Sequence, residues 1–151
     1  MIRSVAFTLT ALAMMGAFAV PVHASAISGT FDGDATLTAT STPGIFVQNF
    51  TGDGVDTIYG SFTPQSNSTI DFSDPPSIII SSGMFTETFS QGTLFGASSG
   101  GGTASGHGTA TDMIDRVFTG GTGIFAGATG EATATGTIAS TSSTTESVSE
   151  S

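Results

Sequence analysis

About half of the residues after position 24 are Gly, Ser or Thr, and this composition constrains the fold more than any single motif. Gly and Thr are both unfavourable inside helices, whereas Thr suits strands and Gly suits turns. So polar a chain would be disordered by default, but phenylalanines recur at alternating positions along it, as half-buried strands require. The composition therefore predicts an all-β domain with no helix longer than about two turns.

The first residues have the pattern of an export signal. Residues 1–3 carry a positive charge, residues 5–20 are almost entirely apolar, and small residues follow at Ala24 and Ala26. This is the arrangement of a Sec-type signal peptide, cleaved after one of these two alanines. We expect residues 1–24 to be removed and the protein to be secreted or periplasmic. A signal anchor would need a longer apolar stretch without a cleavage site.

Acidic side chains dominate the charge of the remaining chain. It carries all 12 carboxylates against a single base, Arg116, and contains no Cys and no Lys. Nucleic acids and anionic membranes bind clusters of Lys and Arg, so neither is expected as a partner. The lack of Cys excludes disulfides and thiolate metal sites. The one remaining histidine, His107, has no second His or Cys beside it, so we predict neither a metal site, nor a cofactor, nor a catalytic triad.

Short β signals bounded by turn residues run along the whole chain. Hairpin turns are predicted at residues 32–34 and 52–54, and a flexible hairpin loop at residues 98–102. Many short strands with frequent turns predict a small antiparallel closed β-barrel of about eight strands over residues 25–140, with a β-sandwich as the alternative. Closure is favoured because the chain has few residues that block sheet edges. The Ser/Thr/Glu tail, residues 141–151, is predicted to be disordered.

One segment resembles a known family. Residues 118–138, FTGGTGIFAGATGEATATGTI, resemble the GGTG-x-F-x-GA-x-G signature of bacterial secreted proteins with the allene oxide cyclase/dirigent-like barrel. The resemblance implies an antiparallel barrel of about eight strands with a small apolar cavity, often in a homo-oligomer. It also implies a hairpin corner where Phe125 packs inward and glycines permit a tight turn and shape the next strand, namely Gly120, Gly121, Gly123, Gly127 and Gly130. The plant members act on oxylipin epoxides or guide radical coupling. Their catalytic residues have no matching positions in this sequence, so their activity is not implied.

Glu87 is the main candidate for chemistry, because it shares a strand face with Phe85 and Phe89. In the interior its carboxyl would have a raised pKa, and it would act as a general acid or base or bind a polar group of a ligand. In the alternative orientation, Met84 and the residues that alternate with Glu87 face inward. Glu87 would then only solubilise the outer face, since buried unpaired carboxylates are rare.

Three other polar segments have simpler interpretations. Arg116 is expected to pair with Asp112 or Asp115 where a strand begins. Aspartates in residues 32–34 and 53–56 place oxygen atoms on predicted turns, as calcium sites do, but they are too few for a full coordination shell and suit turns in any case. His107 lies between two glycines and is expected to be exposed and inert.

The leading hypothesis is a secreted, non-catalytic or weakly catalytic protein that holds a small apolar ligand in the mouth of a barrel. Glu87 and Tyr59 would supply polar contacts. The walls would be Phe62, Phe85, Phe89, Phe95, Phe118 and Phe125. A register error of one residue would turn each of them outward. The alternatives are a lipid-modifying isomerase or cyclase with Glu87 as its catalytic residue, and a structural matrix or surface protein packed solid with phenylalanine. An enzyme is the less favoured of these hypotheses.

Overall fold

The computed structural model describes residues 27–106, 108–140 and 145–150. Its long strands are β1 (Gly29–Ala39), β2 (Ile45–Asp56), β3 (Gly60–Asp71), β4 (Ser77–Phe89), β5 (Gly92–Gly106), β6 (Thr109–Gly121) and β7 (Gly130–Ser140), and a short β8 (Thr145–Glu150) follows. A 3₁₀ turn, Gly123–Phe125, lies between β6 and β7. The all-β prediction is confirmed, and no helix in the described ranges is long and apolar enough to cross a membrane.

The seven long strands form one curled antiparallel sheet. Each strand pairs with the next in sequence order. All pairs belong to a single sheet, so the two packed sheets of a sandwich are not formed. The concave side of the curl collects the buried side chains, and the convex side carries most of the Thr and Ser.

Part of the carboxyl-terminal tail is extended. Residues 145–150 form β8, which has one ladder to β1 and another to β7. Ser and Thr tolerate extended backbone, and the two edge strands offer unpaired N–H and C=O groups, so the tail has partners that its composition does not reveal. Residues 141–144 and 151, like the predicted signal segment at residues 1–24, lie outside the described residues.

Three predicted turns are wrong, because they lie inside long strands. Residues 32–34 belong to β1, where Gly33 lies opposite Gly52 of β2, so residues 52–54 are also in a ladder. Residues 98–102 run through the middle of β5 and pair with both neighbouring strands. A Cβ atom on Gly100 would collide with the carbonyl oxygen of Met113. Glycine in these strands therefore marks a close approach of backbones, which looks like turn composition in the sequence.

The glycine-rich corner agrees in part with its prediction. Gly123 and Gly127 have positive φ angles of 59° and 78°, in the left-handed region. Phe125, which lies between them, is buried. Gly120 and Gly121 are instead the last residues of β6, without positive φ. Gly130 begins β7.

The core is rich in aromatic rings, which meet at one end of the curl. Phe62 stacks on Phe89 with ring centroids 5.0 Å apart, and Phe89 lies 5.0 Å from Phe125. Tyr59 contacts Phe125 edge to face at 4.9 Å. We call these four residues the aromatic end. Contacts of this geometry add to the stabilisation from burial, so this end of the core is well packed.

Candidate functional site

Glu87 points into the core. Its side chain is 2% exposed, and Phe85 and Phe89 on the same face of β4 are also buried. Met84, on the opposite face, is 68% exposed. The inward orientation therefore holds, and the orientation that would place Met84 inside is wrong. The strict alternation of β4 through these residues explains why the sequence identifies the face.

Most of the aromatic residues predicted to face the interior do so, with one exception. Phe62, Phe85, Phe89, Phe118 and Phe125 are buried, and Tyr59 is half-buried against the same core. The prediction for Phe95 is wrong, because its side chain is 38% exposed, while that of its neighbour Leu94 is buried. The register shifts directly after Phe95, and a Cβ atom on Gly120 would meet its ring. Phe95 therefore covers a glycine on the convex side, a placement that side-chain alternation alone does not predict.

The predicted partner of Arg116 is also wrong. It pairs with neither Asp112 nor Asp115, but donates from Nη1 to Oε1 of Glu87 at 2.5 Å. Its side chain is 5% exposed. Asp115 points outward and accepts a hydrogen bond from Thr133. The sequence could have indicated that Arg116 faces inward, because Arg116 lies two residues from the inward-facing Phe118 and therefore on the same face of the strand.

Aromatic rings surround the guanidinium of Arg116. Its Cζ atom lies 4.9 Å from the centroid of the Phe31 ring and 4.9 Å from that of Phe85. Phe31 belongs to β1 and Phe85 to β4, so the cation from β6 reaches into the middle of the core. Contact with the negative faces of two rings offsets part of the cost of removing the charge from water.

Two further carboxylates are buried on the same side of the sheet. Asp56 accepts hydrogen bonds from the backbone N–H groups of Ile58 and Tyr59 at 2.7 Å and of Ser28 at 2.9 Å. It therefore fixes the connection between β2 and β3. Asp112 is 7% exposed and faces inward from β6. Sequence analysis missed both as interior residues, although Asp112 lies four residues before Arg116 on the same face.

The environment changes the acidity of two of these carboxyls. Burial raises the pKa of Glu87, and the charge of Asp56 raises it further, while Arg116 opposes both effects. Burial also raises the pKa of Asp112, to about 6, against the opposing effects of hydrogen bonds from the backbone of Asp112 and Gly136 and of the Arg116 charge. Low dielectric surroundings disfavour the ionised form in both cases.

Two buried oxygen atoms lack a hydrogen-bond partner within the described ranges: Oε2 of Glu87 and Oδ1 of Asp112. By contrast, the buried Gln48 accepts a hydrogen bond from Ser68 at 3.2 Å. Most buried polar atoms in folded proteins are satisfied, so the two exceptions need a physical explanation. A polar atom of a ligand, or an ordered water, would satisfy them.

The other candidate groups do not assemble into a site. No cluster of three or more His, Cys, Asp or Glu that could hold a metal occurs in the part of the chain that the structure describes. Asp32 and Asp53 lie opposite each other on β1 and β2 and line an outer groove of about 330 Å³ together with hydroxyl side chains. His107 lies outside the described residues.

Comparisons with known proteins found no match for this chain among family models, curated proteins or solved structures.

Proposed function

We propose that the protein is an exported β-barrel that binds a small, mostly apolar molecule in its interior. Glu87 holds the polar group of that molecule, Arg116 positions Glu87, and the surrounding phenylalanines contact the apolar part of the molecule. The observation that carries the proposal is the Glu87 carboxylate, which is almost completely buried and yet has an oxygen atom without a partner among the described residues.

The energetics of the ion pair support a functional role. Replacing a buried ion pair by apolar residues of similar volume is often neutral or stabilising, so stability alone does not account for Glu87 and Arg116. Ionisable groups with raised pKa values, such as Glu87 and Asp112, are concentrated at functional sites. An apolar interior with a few convergent polar groups is also the usual composition of a small-molecule site.

The proposal includes closure of the sheet into an eight-stranded barrel. The ladders from β8 to both β1 and β7 support closure, because they join the two edges of the seven-stranded sheet. A closed wall excludes water from the interior and leaves the ligand only the ends of the barrel as entrances. Export by the segment at residues 1–24, and the resemblance of residues 118–138 to the allene oxide cyclase/dirigent-like barrels, are part of the same proposal.

A structural role is the second candidate. The ring contacts at the aromatic end favour it, since Phe62, Phe89 and Phe125 touch one another there. A matrix or surface protein needs only such a packed interior. A lipid isomerase or cyclase would in addition need the Glu87 carboxyl to exchange a proton with its substrate, and the raised pKa of Glu87 supports that chemistry.

Native mass spectrometry of the protein from its own host's exported fraction tests the binding proposal. We expect a stoichiometric adduct, which solvent extraction releases as an apolar molecule with one polar group. Glu87→Gln should lose the adduct, whereas Glu131→Gln, the same change at an exposed position of β7, should keep it. A protein without an adduct, or an adduct that survives in Glu87→Gln, contradicts the proposal. The same spectrum reports whether the protein is a homo-oligomer.

A further inference from the structure

The charges that face the interior are unbalanced. Three described carboxylates, from Asp56 in β2, Glu87 in β4 and Asp112 in β6, lie buried with the single guanidinium of Arg116. Hydrogen bonds from three backbone N–H groups stabilise Asp56, and Arg116 bonds to Glu87. Among the described side chains, the charge of Glu87 balances that of the guanidinium, and the remaining buried charge is negative.

The two buried carboxylate oxygen atoms without described partners are acceptors. An ionised carboxylate has no hydrogen to donate, so Oε2 of Glu87 and Oδ1 of Asp112 can only be satisfied by donors. A buried water is the ordinary occupant of such a position. A ligand that displaces this water must bring a donor of its own, because displacement by a group that cannot reproduce the hydrogen bonds loses affinity.

An anionic ligand would be disfavoured for a second reason. Its charge would enter a low-dielectric space that already holds an excess of carboxylates, where repulsion between like charges is strong. A carboxylate head group that displaced Glu87 from Nη1 of Arg116 would leave the Glu87 carboxylate buried without that contact.

We infer that the interior selects amphiphiles whose head group donates hydrogen bonds and carries no negative charge, an alkylammonium or an alcohol, and rejects fatty acid carboxylates. The inference rests on the proposed function, since it specifies the class of ligand that the same site binds. Glu87 accepts the hydrogen bond from the head group through Oε2 and sets this specificity. Asp112 adds to it through its charge.

Three ligands with the same ten-carbon chain, decylamine, decanol and decanoate, test the inference. Calorimetric titration of the mature protein is done near neutral pH and at physiological ionic strength, below the micellar range. We expect decylamine and decanol each to bind at least about tenfold more tightly than decanoate, a difference of roughly 1.4 kcal/mol. Glu87→Gln removes the carboxylate that repels decanoate and accepts a hydrogen bond from decylamine, so decanoate should gain affinity, decylamine should lose it, and the preference should disappear or reverse.

The control separates the interior from the acidic surface. Glu131→Gln makes the same change of charge at an exposed position and should leave the preference intact. Should Glu87→Gln fail to fold, Asp112→Asn keeps the ion pair and should narrow the preference for decylamine over decanoate several-fold. Equal or tighter binding of decanoate to the unaltered protein overturns the inference, and so does an equal effect of Glu131→Gln. If none of the three ligands binds, the proposed function itself fails.

Discussion

Glu87 of β4 and Arg116 of β6 form a buried ion pair. Each is an ionised group in apolar surroundings, and each supplies the opposite charge that makes burial of the other tolerable. Removing one partner leaves the other partner's charge buried without this contact, whereas removing both removes both of these charges. A double-mutant cycle therefore measures the interaction free energy of the pair.

Arg116→Met should lower the free energy of unfolding by about 3–5 kcal/mol, because it leaves the Glu87 carboxylate buried without its cation. It also removes the contacts of the guanidinium with Phe31 and Phe85. Glu87→Leu should be destabilising for the converse reason. The double variant should recover most of the loss, as measured by urea denaturation. A double variant that loses as much as the sum of the two single changes would show that the pair is not coupled.

Asp112 makes stability depend on pH in a defined range. Its pKa is about 6 in the folded protein, against an ordinary value of 3.8. The folded state therefore holds the proton more tightly, so this contribution to stability is complete below pH 3.8 and is lost as the pH rises through about 6. The change is on the order of 2–3 kcal/mol, since one unit of pKa difference corresponds to about 1.4 kcal/mol.

Asp112→Asn should remove that dependence. Relative to the unaltered protein, the variant should become progressively more stable as the pH rises from 3.8 to about 6, and it should be the more stable of the two at neutral pH. Thermal or urea denaturation across this range measures the difference. Asp115→Asn, on the outer face of the same strand, is the matched control. The same change of slope in both variants would assign the effect to the overall acidity of the chain.

At the scale of strands, glycine decides how closely neighbouring backbones approach. In β5, Gly96 lies where a Cβ atom would collide with the carbonyl oxygen of Val117 and lie 3.0 Å from the Cα atom of Phe118 in β6. Gly130, at the start of β7, has no atom within 4 Å of the same position. The two glycines look alike in the sequence but have different functions in the sheet.

Gly96→Ala should therefore lower the free energy of unfolding by about 1–3 kcal/mol or more, because the added methyl group must push two strands apart. Gly130→Ala should change it by less than about 1 kcal/mol, and in the stabilising direction, because alanine reduces the freedom of the unfolded chain. Urea denaturation of the two variants side by side makes the comparison. Equal effects of the two substitutions would contradict the close approach of β5 and β6 at Gly96.

At the scale of the whole molecule, the question is how the two edges of the curled sheet are covered. In the proposed closed barrel, the ladders of β8 satisfy backbone groups of β1 from Phe31 to Thr36 and of β7 from Gly136 to Ser140. Without β8 these groups would form two open edges. Open edges pair readily with other chains, and this chain has no lysine with which to block them.

A chain that ends at Ser140 should therefore be less stable than the full mature chain and should associate at high concentration. Urea denaturation and light scattering measure the two effects. A full-length variant with Ser147→Pro and Ser149→Pro removes backbone donors from β8 without shortening the chain, and it should behave like the truncated protein. A truncated chain that stays monomeric with unchanged stability would favour the disordered tail that the sequence predicts.

Local composition and the alternation of side chains are sufficient to predict part of the fold. The abundance of Gly, Ser and Thr with regularly spaced Phe predicts the all-β class, because these preferences act within a few residues. Alternation along a single regular strand also predicts that Glu87 shares a face with Phe85 and Phe89. Each of these features depends on residues that are close in sequence.

Tertiary structure alone decided the rest, because the deciding contacts join distant residues. Arg116 finds Glu87 across 29 positions of sequence, through the inside of the curled sheet. The glycines of residues 98–102 belong to a strand because β4 and β6 approach it from both sides. Phe95 faces outward beside a register shift between β5 and β6. Strand phase and pairing depend on which surfaces meet, and no local preference specifies that.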